Sequence, residues 1–255
     1  MKKILALTVA LLLCVTLLTA CGSGSSLTVE KGKLHMATNA AFPPYEMTND
    51  KGGFEGIDVE VATKIAEKLD LELVVDDMDF NSVIAAVQTG KSDIAMAGLT
   101  VNEERKKNID FTDTYATGKQ VIIVVDGSPI KTADDLFADG AKYVAGTQEA
   151  TTGNIYCSDD LGEDRTVAYT NGATAIQALL TGKVDCVVID NEPAQQFCKA
   201  NKTLKILETE YVTEDYAIGV SKENNELRDK VNAALKELID DGTVKKIIDK
   251  YIVAE

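Results

Sequence analysis

FNSVIAAVQTGKSDIAMAG, residues 80–98, decides the fold once it is set beside NGATAIQALLTGKVDCVVID, residues 171–190. Each stretch carries an apolar segment of helical character, a Thr-Gly-Lys turn, an aspartate two residues later and a short apolar run. A short apolar run bounded by a turn suits a strand buried on both faces. The triplets start at 89 and 181, so Gly98 and Asp190 fall at equivalent positions, each at the carboxyl end of its strand. A unit that occurs twice predicts two similar α/β lobes. Open α/β sheets bind ligands beyond the carboxyl ends of their strands. Two such edges place the natural site in the cleft between the lobes.

The surrounding sequence carries the same alternation. KLHMATN (33–39) reads as a strand, GIDVEVATKIAEKLD (56–70) as an amphipathic helix and LELVVD (71–76) as a strand, followed by the helix 80–91 and the buried strand 93–98. In the second cycle QVIIVV (120–125) reads as a strand, 131–140 as a capped helix and 142–146 as a strand, before the helix 171–183 and the buried strand 185–190. This pattern predicts parallel α/β units. MTNDKGGFEG (47–56) lacks the spaced carboxylates and closing glutamate of a calcium loop, and its Gly-Gly pair suits a hairpin turn. TGKS at 89–92 is not a phosphate loop, because Ala85 stands where that motif needs glycine. The last segment (226–252) is helical, broken at Asp241-Gly242, and its apolar faces need a sheet. Returning it to the first lobe assigns 31–117 and 213–255 to lobe 1 and 118–212 to lobe 2, with crossings near 115–120 and 208–216.

The first 21 residues, MKKILALTVALLLCVTLLTAC, have a basic start, an apolar core and small residues before a cysteine. That is a secretory signal, assigned here to 1–20. Its apolar run is near the lower limit for spanning a membrane. The ending Leu18-Thr19-Ala20-Cys21 resembles the lipobox of bacterial lipoproteins. The resemblance implies lipidation of Cys21, with 21–30 forming the lipidated start and a Gly/Ser tether. Loss of Lys2 and Lys3 leaves 24 bases against 41 acids, a net charge of −17. Such a chain has no basic footprint for nucleic acid. Cys157, Cys186 and Cys198 lack zinc-ligand spacing. Cys186 sits in an apolar run as a core thiol, and a Cys157–Cys198 bridge is open in an oxidising compartment. No cofactor is expected.

Arg105 follows Asn102, a good N-cap, and Glu103-Glu104, which suit a first helical turn. By itself it reads as a helix-surface arginine. AFPPYE, IDVEVATKIA, the block from 78 to 115 and VVIDNEPA together resemble the extracellular amino-acid-binding proteins of ABC importers, solute-binding family 3. The likeness is strongest to the polar amino-acid group that includes glutamine-, histidine- and lysine/arginine/ornithine-binding proteins, and it runs through nearly all of the mature chain. It implies a periplasmic-binding-protein-like (type II) fold with a ligand cleft between two lobes. The function implied is capture of one free L-amino acid for an ABC permease and its ATPase subunits, by a monomer held at the outer face of the membrane or in the periplasm.

The resemblance also implies roles. Arg105 binds the ligand's α-carboxylate, for which a guanidinium offers two parallel hydrogen bonds. Asp190 receives the α-ammonium with Gly98 and Thr100, against a plain reading of Asp190 as a helix cap. Apart from the resemblance, Thr151 and Thr152 precede Gly153 and a helical stretch, and their hydroxyls and the free N–H groups there would supply further donors for the carboxylate. Phe42 and Phe80 enclose the side chain, with Tyr45 assisting. Asn39 stands where several relatives carry aspartate, and Gln148 where the glutamine-binding protein carries lysine. These departures favour an uncharged polar ligand such as glutamine, with a basic one next. An enzyme is not expected: His35 is the single histidine, and neither H-E-x-x-H nor G-x-S-x-G occurs. A dehydratase of related fold, or an amino-acid sensor for a separate receptor, are the alternative readings.

Overall fold

The computed structural model describes residues 26–208 and 211–252. The signal peptide, Cys21 and most of the Gly/Ser tether lie outside the described residues. The chain begins with β1 (Lys33–Thr38), a small sheet of β2 (Ala41–Phe42), β3 (Glu46–Thr48) and β4 (Phe54–Glu55), and helix α1 (Ile57–Lys68). Then come β5 (Glu72–Asp77), α2 (Phe80–Gln88), β6 (Ile94–Ala95) and α3 (Glu103–Asn108). Strands β5 and β6 pair with β1 in parallel. Between β3 and β4 the expected turn forms: Asn49 Oδ1 accepts the N–H groups of Lys51 and Gly53 at 3.0 Å each.

Strand β7 (Ile109–Val125) leads into α4 (Ala133–Phe137), β8 (Ala145–Gln148), α5 (Thr152–Leu161), β9 (Thr166–Tyr169), α6 (Gly172–Leu180), β10 (Cys186–Asp190), α7 (Asn191–Ala200) and β11 (Leu204–Ile206). Strands β8 and β10 pair in parallel, as do β8 and β9. The chain returns through β12 (Val212–Ser221) to α8 (Asn225–Asp240) and α9 (Thr243–Tyr251). On α8, Leu227, Val231, Leu235 and Leu238 form one buried face, packed in the same core as Ile57, Val61 and Ile65 of α1. Gly242, at φ 78°, makes the break between α8 and α9 with the left-handed backbone that glycine adopts at low cost.

Among the described residues nine strands form one sheet, ordered β5-β1-β6-β12-β7-β10-β8-β9, with β11 beside β7. Strand β7 joins the lobes. Its first part lies antiparallel to β12, from Ile109 opposite Ser221 to Gln120 opposite Val212, and its last part pairs with β10 and β11. The sequence pattern predicts a strand here only over 120–125. IDFTDTYATGK lacks the alternation of a half-buried strand; its extended form comes from pairing with β12, whose register shifts twice near Tyr216.

Several expected elements are shorter or displaced, among them the helices at 80–91 and 171–183, which close at Gln88 and Leu180 before their Thr-Gly-Lys turns. The strand at 93–98 keeps ladder pairing only at Ile94–Ala95, because the chain turns away before Gly98, at φ 54°. The helix at 131–140 closes after Phe137, despite a Thr132/Asp135 capping box. The strand at 142–146 pairs over Ala145–Gln148. Cys157 and Cys198 form no bridge. All three described cysteines are free, and Cys157 belongs to a different hydrophobic core from the one that Cys198 packs against.

Candidate functional site

A cavity partly open to solvent lies between the lobes. All ten residues singled out from the sequence line it, together with Ala97, Gln120, Ile189 and Tyr216. Tyr45 does not line it. Its ring is 1 % exposed, stacked on Phe42 at 5.8 Å and edge-on to Tyr216 at 5.3 Å.

Arg105 is the third residue of α3, whose N-cap Asn102 accepts the Arg105 N–H at 2.8 Å. The side chain is 6 % exposed and lies 5.4 Å from the centre of the Phe80 ring, a cation–π contact. Its guanidinium is held by carbonyls: Nη1 donates to Thr100 O at 2.8 Å and Nη2, across the cleft, to Ala150 O at 3.2 Å. Two of its five donors are thus engaged, and the fork retains donors for a ligand. Burial lowers the group to about 10, and Glu214 works in the opposite direction. It stays a cation at neutral pH.

Asp190 ends β10 and caps α7. The cap is present, and the same side chain lines the cavity. Oδ1 accepts the Glu192 N–H at 3.1 Å, while Oδ2 accepts the hydroxyl of Tyr216. Burial pushes the carboxyl up to about 7, offset by those two bonds. Gly118 makes this arrangement possible: a Cβ there would meet Tyr216 Oη at 2.2 Å and Asp190 Oδ2 at 2.3 Å.

Glu214, buried on β12, ties the lobes behind the cavity. It accepts bonds from Thr100 Oγ1 at 3.1 Å, Gln120 Nε2 at 3.0 Å and Tyr156 Oη at 3.0 Å. The Thr100 hydroxyl proton is therefore taken, and its oxygen is left as an acceptor. Thr151 is the N-cap of α5, accepting from the Asn154 N–H at 3.3 Å and donating to Gln148 O at 2.7 Å. Thr152 is the first helical residue, 2 % exposed. The helix start beside it has the partial positive character that suits an anion.

At another part of the wall, the lobes meet through two amides. Asn39 Nδ2 donates to Met78 O at 2.9 Å, so its Oδ1 faces Gln148 and accepts from Nε2 at 3.0 Å. That chain fixes the amide orientations and leaves Gln148 Oε1 buried without a partner. Phe42 closes in on Gly98, where a Cβ would lie 2.9 Å from Phe42 Cε1. The cavity thus has a cationic fork, a buried carboxyl and a neutral polar wall flanked by aromatic rings.

Sequence reasoning missed Gln120, Glu214 and Tyr216. A signal for the last two was present. Glu214, Tyr216, Ile218 and Val220 alternate along β12 and are all buried, so a carboxylate stood in an otherwise apolar face.

Known proteins share this arrangement of the chain. It is 33 % identical to the arginine-binding extracellular protein ArtP of Bacillus subtilis, over 100 % of both chains. The solved structure of an ancestral arginine-binding protein bound to glutamine superposes with a TM-score of 0.82 at 36 % identity, covering 88 % of this chain and 100 % of that one. The ancestral amino acid-binding protein AncCDT-1, a precursor of cyclohexadienyl dehydratase, gives 0.79 at 29 % identity, over 86 % of this chain and 95 % of that one. These neighbours are two-lobed proteins of the periplasmic-binding-protein fold, and so is this chain. Residues 34–254 match bacterial extracellular solute-binding proteins, family 3, and the chain belongs to that family.

Proposed function

We propose that this protein is the substrate-binding component of an ABC amino-acid importer, closing over one free L-amino acid with an uncharged polar side chain. Glutamine is favoured and a basic amino acid comes next. The observation that carries the reading is the placement of Arg105 and Asp190 on opposite lobes of one cavity. Arg105, with the α5 start at Thr151 and Thr152, takes the α-carboxylate. Asp190 takes the α-ammonium with the acceptor oxygens of Thr100 and Gly98. Lobes 31–117 with 213–255 and 118–212 act as the two bodies, and only closure joins both charge pairs, so ligand favours the closed form.

The side chain meets Phe42, Phe80 and the Asn39–Gln148 pair. Gln148 Oε1 asks for an N–H donor, which a carboxamide and a guanidinium both have. A wall of neutral amides gives a cation no counter-charge for its lost hydration. That tilts the choice to glutamine. The titratable groups of the cavity serve binding, and turnover of a bound acid would instead favour the dehydratase reading. Lipidated Cys21 holds the protein at the membrane beside its permease; Cys21→Ala is expected to release it to the medium, and retention in the membrane fraction would contradict the anchor.

Thermal unfolding of the soluble chain from residue 22, with each of the twenty L-amino acids, tests the function. A ligand at ~1,000 times its Kd adds about 4 kcal/mol, a rise of roughly 8–16 °C for a chain of this size. A large shift confined to one or a few polar amino acids is expected. Shifts with arginine or lysine alone would overturn the reading of Asn39, and no shift with any would overturn the class.

A further inference from the structure

Glu46, on β3, is fully buried, and neither of its oxygens accepts a hydrogen bond from an N–H or hydroxyl group. Its neighbour is another carboxyl. Asp58 of α1, equally buried, is pinned beside β3, its N–H donating to the carbonyl of Tyr45, the residue before Glu46, at 2.9 Å. Asp58 itself accepts the Tyr115 hydroxyl at 2.8 Å and the Gly98 N–H at 2.8 Å. The further charged groups that act on Glu46 are Asp190 and Asp77, both acids, and the phenols of Tyr45 and Tyr115 adjoin the pair. Two carboxylates in such a place repel, and burial removes the water that would relieve them. Burial first, and Asp58 next, hold the Glu46 carboxyl well above the usual carboxylate range.

We propose that Glu46 and Asp58 share one proton, donated by Glu46, and that the pair is a positioning device for the cleft. Glu46 O–H bonds to the Asp58 carboxylate, which stays an acceptor for Gly98 N–H. Gly98 is where the cavity begins, so the pair fixes the backbone at that edge, and Gly98 is left with its carbonyl to offer. No bond is made or broken beyond the shared hydrogen bond. The link to binding rests on the reading of the cleft as an amino-acid site; the proton does not.

The pair has a pH signature. Unfolded, Glu46 ionises near 4.5; folded, it holds its proton to higher pH. Between those values the folded state binds more protons, so its contribution to stability is full below 4.5 and is lost as pH rises. Glu46→Gln keeps a donor and removes the titration. The test uses the chain from residue 22 as wild type, Glu46→Gln and Glu46→Ala. Ligand-free unfolding is followed from pH 5 to 8.5, infrared spectra record the neutral-carboxyl band at pH 7, and calorimetry measures L-glutamine binding.

The ratio of wild-type to Glu46→Gln unfolding constants is expected to rise with pH, by up to about tenfold per unit, and the infrared band to weaken in the variant. Glu46→Gln should bind glutamine within about threefold of wild type, and Glu46→Ala at least tenfold more weakly. Parallel pH profiles with an unchanged band would overturn the shared proton. A Glu46→Gln chain that fails to fold or binds tenfold more weakly would show that the anion is required. Wild-type binding by Glu46→Ala would overturn the positioning role. If the wild type bound no amino acid, the reading of the cleft and the positioning role would fall together, while the pH profiles would still judge the proton.

Discussion

The two repeats begin alike and end differently. In the first, α2 and the Thr-Gly-Lys turn lead to a ladder of only two residues, after which Gly98 turns at φ 54° and donates its N–H to Asp58. In the second, α6 and the same turn lead to β10, which stays paired up to Asp190, a side chain that both caps α7 and lines the cavity. One lobe brings backbone to the cleft edge and a charge three residues into the next short helix; the other brings its charge at the strand end. The repeat sets where the edges lie, and one residue at each edge sets the chemistry. A cavity between two lobes can therefore be asymmetric though the lobes are built alike.

The sharpest way to break this contrast is at Arg105. Arg105→Ala removes the cationic end of the clamp, and losing a buried charge partner costs about 2–5 kcal/mol. Glutamine affinity should fall at least thirtyfold with circular dichroism unchanged. Retained affinity would return Arg105 to an ordinary helix residue.

Asp190→Asn should weaken binding at least tenfold, because an amide keeps the cap but not the charge. Wild-type affinity should also depend on acid. The ammonium needs the carboxylate, and with the carboxyl pushed up to about 7, affinity should fall about tenfold from pH 8 to pH 6. Calorimetry across that range checks it, and an equal fall in Asp190→Asn would place the titration elsewhere.

Gly98→Ala probes the backbone edge. The new Cβ would crowd Phe42 and sit on a left-handed backbone, a strain of order 1–3 kcal/mol. Affinity and Tm should both drop, and an unchanged Tm would show that the edge yields. The smallest effect is expected at the neutral wall. Asn39→Asp should raise the ratio of arginine to glutamine affinity severalfold, and an unchanged ratio would mean the side chain points elsewhere.

Much of this was legible in the sequence for a physical reason. Buried parallel strands need apolar runs, and helices against them need apolar faces, so the repeat at 80–98 and 171–190 shows in composition alone. Arg105 was legible as the third residue of a capped helix, but composition alone left it a surface arginine; the family likeness moved it to the cleft. The joining strand β7 was not legible over 109–119, because its extended form depends on β12, about a hundred residues away. Gln120 was hidden for a similar reason, since its place at the cavity depends on pairing with β10 and β12. The tie between Asn39 and Gln148 depends on the distance between lobes, which neither local sequence carries. Their role as cavity residues was readable, and their hydrogen bond was not.

The most direct measurement of the clamp is a calorimetric titration of the ligand-stripped chain with L-glutamine, 4-carbamoylbutanoate and 4-aminobutanamide. The second lacks the α-ammonium and the third the α-carboxylate, with the carboxamide end kept. Under the proposed function glutamine is expected to bind and each analogue to bind at least thirtyfold more weakly, since about 2 kcal/mol or more attaches to each charge. If either analogue matched glutamine, Arg105 and Asp190 would not be gripping opposite ends of one amino acid.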